Sequence, residues 1–368
     1  MMNRMIVGNL VHRPIRSLIS IVAVALEVTL ILLIVGLSLG ILNDSRQRQA
    51  GIGADVLVLP PGSSFIYALS GAPMSVKVGG ILAKLPHVEV VAPVVTQISA
   101  AGSLEVIAGI DLSSYERLSG GFHYLKGGPF QGPDDALVDA LFAQAKHTKV
   151  GDTIEILNHN FRIAGIVSQG KGARKFVPIT TLQDLIGAKD KASIFYLKLD
   201  NPANADTVVE EIKKVPGMEK YVATSMATYL SMMTPSNYPG LRSFISVVIG
   251  ISVVIGFIVI FQAMYTAVME RTREIGILKS LGASKLYIVN VVLRETVLLA
   301  ICGIVVGILV SLGARVVLAQ KLPLLRVIVT GGWILRATGI AVAGAIVGAL
   351  YPAFKAAQKD PIDALAYE

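Results

Sequence analysis

The stretch Glu270–Ala283, ERTREIGILKSLGA, decides how the rest of the chain is read. It is a charged, amphipathic insert between two apolar runs, Ser243–Met269 before it and a second that starts at Thr296. Both runs are long enough for a bilayer, which takes about 20 apolar residues to cross as a helix. Inside the insert, Ile275, Leu278 and Leu281 recur at intervals of three and form one apolar stripe. Glu270, Arg273, Glu274 and Lys279 supply the wet face. Such a segment fits two roles: a connector lying against the membrane face, or a handle by which something outside the membrane grips the helices.

Working outward, the composition places the chain in the membrane class. Of 368 residues, 53% are hydrophobic and 16% charged, with a mean hydropathy of +0.66. Ser17–Asn43 holds a single charge, Glu27, while Ser243–Met269, Thr296–Ala314 and Ala337–Phe354 hold none. Lipid permits only helices or closed barrels, so each run is a predicted transmembrane helix. The expected fold is an α-helical membrane protein with four transmembrane helices and a large extracytoplasmic α+β domain inserted between helices 1 and 2.

Lys and Arg near the span ends set the orientation. Arg4, Arg13 and Arg16 precede the first span, and Arg271, Arg273, Lys279 and Lys285 lie between spans two and three. Lys355 and Lys359 follow span four, whereas the third connection carries only Lys321 and Arg326. Both termini and the Glu270 loop are therefore expected in the cytoplasm. The expected division is an amphipathic N-terminal segment over 1–16, helix 1 over 17–43, the outer domain over 44–240 and helix 2 over 241–269. The cytoplasmic loop then covers 270–288, helix 3 289–318, an outer loop 319–332, helix 4 333–354 and a cytoplasmic tail 355–368.

The net charge of +8 follows from this orientation and requires no nucleic-acid partner. The first apolar run is too long for a cleavable signal and reads as a retained anchor in the lipid bilayer. Cys302, the only cysteine, falls within span three, so the outer domain has to build its core without a disulfide.

Strand-like and helix-like segments alternate through the outer region, as expected of one or two compact α+β lobes. Predicted strands cover 54–59, 88–98, 104–110, 152–157, 161–167, 175–178, 194–199 and 221–224, and predicted helices 76–85, 180–186 and 203–215. A strand followed by a helix is expected within 134–145.

No catalytic constellation appears. His123, His147 and His159 have no Cys or Asp at ligand spacing, and no Ser sits in a G-x-S-x-G elbow. Gly165–Lys171 matches G-x-x-x-x-G-K, but Gly172 stands where a magnesium-binding hydroxyl belongs, and turn and strand follow where a helix is required. A basic β-turn accounts for the segment. Glu27 is the one intramembrane polar candidate, and two readings stay open: a proton or substrate contact, or a packed, hydrogen-bonded carboxyl. The glycines at 250 and 256, the pair Gly303/Gly307 and the pair Gly344/Gly348 suit close helix approach, within a subunit or between two copies.

The insert, with Glu295 at the start of the third helix, resembles the signature loop of ABC-superfamily permeases of the MacB-like, FtsX-like (type VII, mechanotransmission) family. Tyr351-Pro352-Ala353, Ala356-Ala357 and Asp360–Leu365 resemble the family's C-terminal tail, and Arg16 with Leu18 its entry to the first helix. More weakly, Leu125–Gly127, Val138–Phe142, Val150–Asp152 and Gly165–Val167 are similar to a MacB-type periplasmic domain.

The resemblance implies a non-catalytic permease subunit of an inner-membrane dimer, formed with a second copy or a homologous permease. A separate ABC ATPase dimer would hold the ATP and magnesium, since no ATPase domain is fused here and no cofactor or metal is expected in this chain. By the same resemblance, Glu270, Arg271, Arg273, Glu274, Ile275, Gly276, Leu278, Lys279, Leu281 and Gly282 face the ATPase or shape the loop. The implied work is export or extraction of a lipid, lipoprotein, peptide or drug-like substrate, with a periplasmic adaptor or outer-membrane channel as further partner. The alternatives are an FtsX-like signalling subunit that activates a cell-wall hydrolase and, by a different physics, an ion-coupled transporter using Glu27.

Overall fold

Long apolar runs leave the backbone no partner but itself, and four of them close into helices of 28 to 37 residues. The computed structural model describes residues 14–63, 73–99 and 105–359. In chain order it contains α1 (Pro14–Ala50), β1 (Val56–Leu59), β2 (Met74–Ser75), α2 (Lys77–Leu82), β3 (Val88–Ser99) and β4 (Glu105–Ile110). Then come α3 (Leu112–Ser119), β5 (Tyr124–Gly127), β6 (Asp135–Asp139), α4 (Ala140–Lys146), β7 (Thr153–Ile156), β8 (His159–Val167) and β9 (Lys175–Pro178). They are followed by α5 (Ile179–Leu185), β10 (Lys191–Ala192), β11 (Ile194–Leu199), α6 (Ala205–Lys214), β12 (Val222–Ser225) and α7 (Met226–Met232). The chain closes with α8 (Pro239–Glu270), α9 (Thr272–Ser280), α10 (Lys285–Lys321) and α11 (Gly331–Gln358). The protein is thus a four-span helical membrane protein with a large α+β domain inserted between its first and second spans.

One compact unit gathers residues up to Gly40, Pro239–Lys321 and Leu325 onward. In it α11 packs on α8 and α10 through an alanine face, Ala337, Ala341, Ala345, Ala349 and Ala353, each at most 1% exposed. A repeat of four keeps these small side chains on one side and lets the backbones approach. Gly303 and Gly307 of α10 do the same against α1: an added Cβ would stand 2.6 Å from Val24 Cβ and 2.7 Å from the Ala25 carbonyl. Gly348 meets the Phe257 carbonyl, whereas Gly250 and Gly344 face open space. Only part of the expected glycine set therefore packs within this chain.

Beside a small second sheet that pairs β2 with β10, the second unit, Ile41–Tyr238 with Leu322–Leu324, is built on a ten-stranded sheet. Its strand order is β12-β1-β11-β3-β4-β9-β6-β8-β5, with β7 paired to β8. The β4/β9 and β6/β8 pairs are parallel and the rest antiparallel. Alternate residues feed opposite faces, as the pleat demands. Leu57 and Leu59 of β1 join a core with Tyr115, Phe122, Phe176 and Tyr229, while Val56 and Val58 join another with Phe195, Leu82 and Val208. Helices cover both faces, so β1 and β6 are buried along their whole length.

Several boundaries differ from expectation. The helical run of α1 passes Asn43 to Ala50, because Asp44–Ala50 lacks Gly and Pro and pairs Asp44 with Arg48 one turn on. α10 starts at Lys285, where the Ser284 hydroxyl accepts the Tyr287 amide at 3.2 Å, and runs to Lys321. α3 and α7 were not expected. Each begins at a side-chain cap, Asp111 and Ser225, and α3 ends at left-handed Gly120. The amphipathic segment expected over 1–16 lies outside the described residues except for its last three, Pro14–Arg16, which open α1, and Asp360–Leu365 lies wholly outside them.

Candidate functional site

The insert folds into α9, set off from α8 by one non-helical residue, Arg271 (φ −107°, ψ 20°). Thr272 turns its buried hydroxyl back to the Met269 carbonyl at 2.8 Å, which holds the break in place. At the far end the Gly282 amide donates to the Lys279 carbonyl and the Ala283 amide to the Leu278 carbonyl, both at 3.0 Å. With Gly282 at φ +92° this is a Schellman stop, and it needs a residue that tolerates the left-handed region. Sequence-level capping logic thus ends α9 where Gly282 stands.

Two cations fasten α9 to its neighbours. The Arg271 guanidinium reaches both oxygens of Glu295 on α10, at 3.1 and 3.4 Å, and the two side chains are only 12% and 5% exposed. Lys279 donates to the Ala357 carbonyl at 3.1 Å and also to the Lys359 carbonyl. Those carbonyls belong to the end of α11, where unsatisfied acceptors and the helix dipole favour a positive charge. Ile275 and Gly276 are buried on the same inward side.

The outward side is different. Glu270, Arg273, Glu274 and Gly282 are exposed, Leu281 is 80% exposed, and Ile277 and Leu286 are exposed beside it. The stripe expected from Ile275, Leu278 and Leu281 is thus graded from buried through half-buried to open, because Leu281 sits on the cap where the chain leaves the helix. Lys279, expected on the wet face, points inward to the α11 carbonyls instead. Glu295 completes the site from outside the insert. Its pairing with a residue 24 positions away carries no local signal.

Glu27 is held elsewhere in the same unit, in α1 against Gly256 of α8. The G-x-x-x-x-G-K segment begins in the last three residues of β8 and continues into the turn before β9 rather than forming an anion cradle. Its Gly172 amide donates to the Arg48 carbonyl at 2.9 Å, and its Lys171 carbonyl accepts from the Tyr115 hydroxyl at 2.7 Å. Burial pushes the Lys171 ammonium down. Beside it, Arg174 bridges Asp44 at 2.7 Å and Asp139 at 3.2 Å. Burial pushes the Asp139 carboxyl up, against the pull of the Phe142 amide and of Arg174. His159 bonds Asp134 at 2.8 Å, and among the described residues no group of three His, Cys, Asp or Glu side chains could hold a metal.

Residues 17–215, more than half of the chain, match the MacB-like periplasmic core domain, and 246–361 match the FtsX-like permease C-terminal region. The chain belongs to the MacB/FtsX-like permease family. It is 27% identical to the macrolide export ATP-binding/permease protein MacB of Shewanella sp. (strain W3-18-1), an alignment covering 97% of this chain and 59% of that protein. It is 27% identical to the MacB of Bdellovibrio bacteriovorus across 60% of this chain and 36% of the relative. An uncharacterized ABC transporter permease, YknZ of Bacillus subtilis, is 30% identical across 59% of this chain and 55% of its own length. The chain thus spans 36% to 59% of the length of these relatives. The crystal structure of the periplasmic region of MacB from Actinobacillus actinomycetemcomitans aligns over 50% of this chain and 94% of its own, at 16% identity and a TM-score of 0.40.

Proposed function

We propose that this chain is a non-catalytic permease subunit of an ABC transporter and that α9 receives the stroke of a separate ATPase dimer. The observation that carries this reading is the two-sidedness of α9. Arg273, Glu274, Ile277 and Leu281 are free to be gripped, while Arg271 and Lys279 tie the same short helix to α10 and α11. A helix anchored at both ends passes a push on to its neighbours; a loosely tethered one absorbs it. ATP and magnesium would be bound by the ATPase chains, with the termini and α9 on their side of the membrane. The permease would act as a dimer, with a second copy or a homologue. Its outer domain would work on a lipid, lipoprotein, peptide or drug-like substrate, alone or with an adaptor or outer-membrane channel.

The test is co-purification of the full chain from native membranes in mild detergent. A nucleotide-hydrolysing partner is expected with the unaltered chain and is expected to be lost with Arg273→Glu/Leu281→Glu, both exposed substitutions that leave the inward fastenings intact. Recovery of the same ATPase with the double variant removes α9 as the docking element. A cell-wall hydrolase recovered on the outer side, in place of an adaptor or channel, turns the reading from export to hydrolase activation.

A further inference from the structure

Glu27 sits ten residues beyond Ser17 in α1, ~15 Å along the axis and so at mid-span. It is 3% exposed, and its Oε1 is buried without a hydrogen-bond partner. The other oxygen, Oε2, rests over Gly256 of α8, where a Cβ would stand 2.1 Å away. Gly256 is thus a notch, and any larger residue would collide with the carboxyl head.

Among the described residues no cation pairs with it. On α8 the nearest charged residues, Arg242 and Glu270, each lie 14 positions from Gly256, ~21 Å along the axis. On α10, which meets α1 through Gly303 and Gly307, Arg315 is eight positions past Gly307, ~12 Å, and is exposed. Glu295 lies further off and is already paired with Arg271. On α11, whose Gly348 meets the Phe257 carbonyl, Lys355 is seven positions on, ~11 Å, and turns to the Tyr265 hydroxyl. Arg336 is twelve positions back, ~18 Å, and lies over Trp333. Between the charges on these helices the titratable groups are Tyr265 on α8, Cys302 on α10 and Tyr351 on α11, none of which becomes positive. An ionised carboxylate buried at mid-span far from the described cations is costly, whereas a protonated one leaves only a neutral polar group to be accommodated.

We propose that Glu27 is a proton-binding site of the membrane helices. Its carboxyl carries a proton while seated in the Gly256 notch and releases it to water when α1 and α8 move apart. The O–H bond breaks, the electron pair stays on the carboxylate and the proton leaves as hydronium. By linkage the direction is fixed: the packed arrangement binds the extra proton, so acid favours it and alkali favours separation of the two helices.

The experiment is infrared difference spectroscopy of the full chain in lipid vesicles, with carbon-13-labelled glutamate to assign the bands. At neutral pH the unaltered chain should show a protonated-acid carbonyl band that Glu27→Gln abolishes. A wild-type spectrum with no glutamate acid band at neutral pH overturns the proposal, as does a band that survives Glu27→Gln. Gly256→Ala keeps the carboxyl but crowds it out of the notch, and its band should titrate away at lower pH than in the unaltered chain. This second comparison decides the matter even where Glu27→Gln does not assemble, because an unmoved titration overturns the notch assignment.

Discussion

The two units of this protein bury themselves by opposite means. The membrane unit closes on its smallest side chains, the alanine face of α11 and the glycines at 303, 307 and 348. The outer unit closes on its largest, with Tyr115, Phe161, Phe176 and Phe195 among its fully buried side chains. The solvent explains the contrast. Water drives large apolar surfaces together, while lipid does not distinguish a leucine from its own tails and leaves close backbone packing as the source of cohesion. Their polar groups differ as well. Outer-unit acids such as Asp44, Asp135 and Asp139 are bonded to Arg or to backbone amides. The described part of the membrane unit includes an engaged pair, Arg271–Glu295, near its loop end and an acid, Glu27, with an unsatisfied oxygen at mid-span.

The sharpest way to break this contrast is to remove one partner of the membrane unit's pair. Glu295→Ala takes the carboxylate away from the Arg271 guanidinium in a nearly closed site and is expected to destabilise the full chain by about 3–5 kcal/mol. Thermal unfolding in detergent reads the loss. Replacing both partners, Arg271→Leu with Glu295→Leu, should recover most of it while still loosening α9. A single variant that melts like the unaltered chain shows that the pair is not closed off from water. In the outer unit the comparable blow is Phe176→Ala, which empties a site where the ring lies edge-on to Phe122 at 5.0 Å and is tilted against Tyr115. A loss of about 3–5 kcal/mol is expected there too. Phe244→Ala, on a ring 54% exposed in the membrane unit, should change little in the same assay.

These sites differ in how far the sequence discloses them. The four spans were legible because lipid imposes a length and excludes charge, and both rules can be checked residue by residue. The stop of α9 at Gly282 was legible because capping is local. Arg271–Glu295, Lys279–Ala357 and the seating of Glu27 on Gly256 were not, since they join residues 24, 78 and 229 positions apart. α3 lay in between. Its Asp111 cap and its Gly120-Gly121 stop are visible in the sequence, but an eight-residue helix with Ser, Arg and Glu in it makes a weak periodic signal.

The small-residue rule itself can be sharpened with two glycines that look alike in the sequence. Gly303→Ala places a Cβ 2.6 Å from Val24 Cβ and 2.8 Å from the Ile21 carbonyl, so α1 and α10 have to part. The expected loss is about 1–3 kcal/mol, seen as a lower melting temperature. Gly344→Ala adds its methyl to open space and should stabilise α11 by roughly 0.5–1 kcal/mol through helix propensity. Equal losses at both positions would place Gly344 in a contact outside the described part of this chain, as with another copy of it, because no described residue lies within 4 Å of its Cβ position.

The smallest expected effect tests the outer unit's manner of handling acids. Burial pushes the Asp135 carboxyl up, but the amides of Gln131 and Gly132, at 2.7 and 2.9 Å, and the Arg162 guanidinium outweigh it and hold the group below its ordinary value of 3.8. The folded state therefore prefers the ionised form. The associated stability is present above pH 3.8 and disappears as the pH falls through the folded-state value. Arg162 is 59% exposed, so the ion pair itself contributes little, and most of the effect belongs to the two amides of the turn before β6. Asp135→Asn should lower stability by roughly 1 kcal/mol at neutral pH. The gap between variant and unaltered chain should narrow as the pH is taken below 3.8. A gap that stays constant over that range would assign Asp135 a role in turn geometry alone, with its charge contributing nothing.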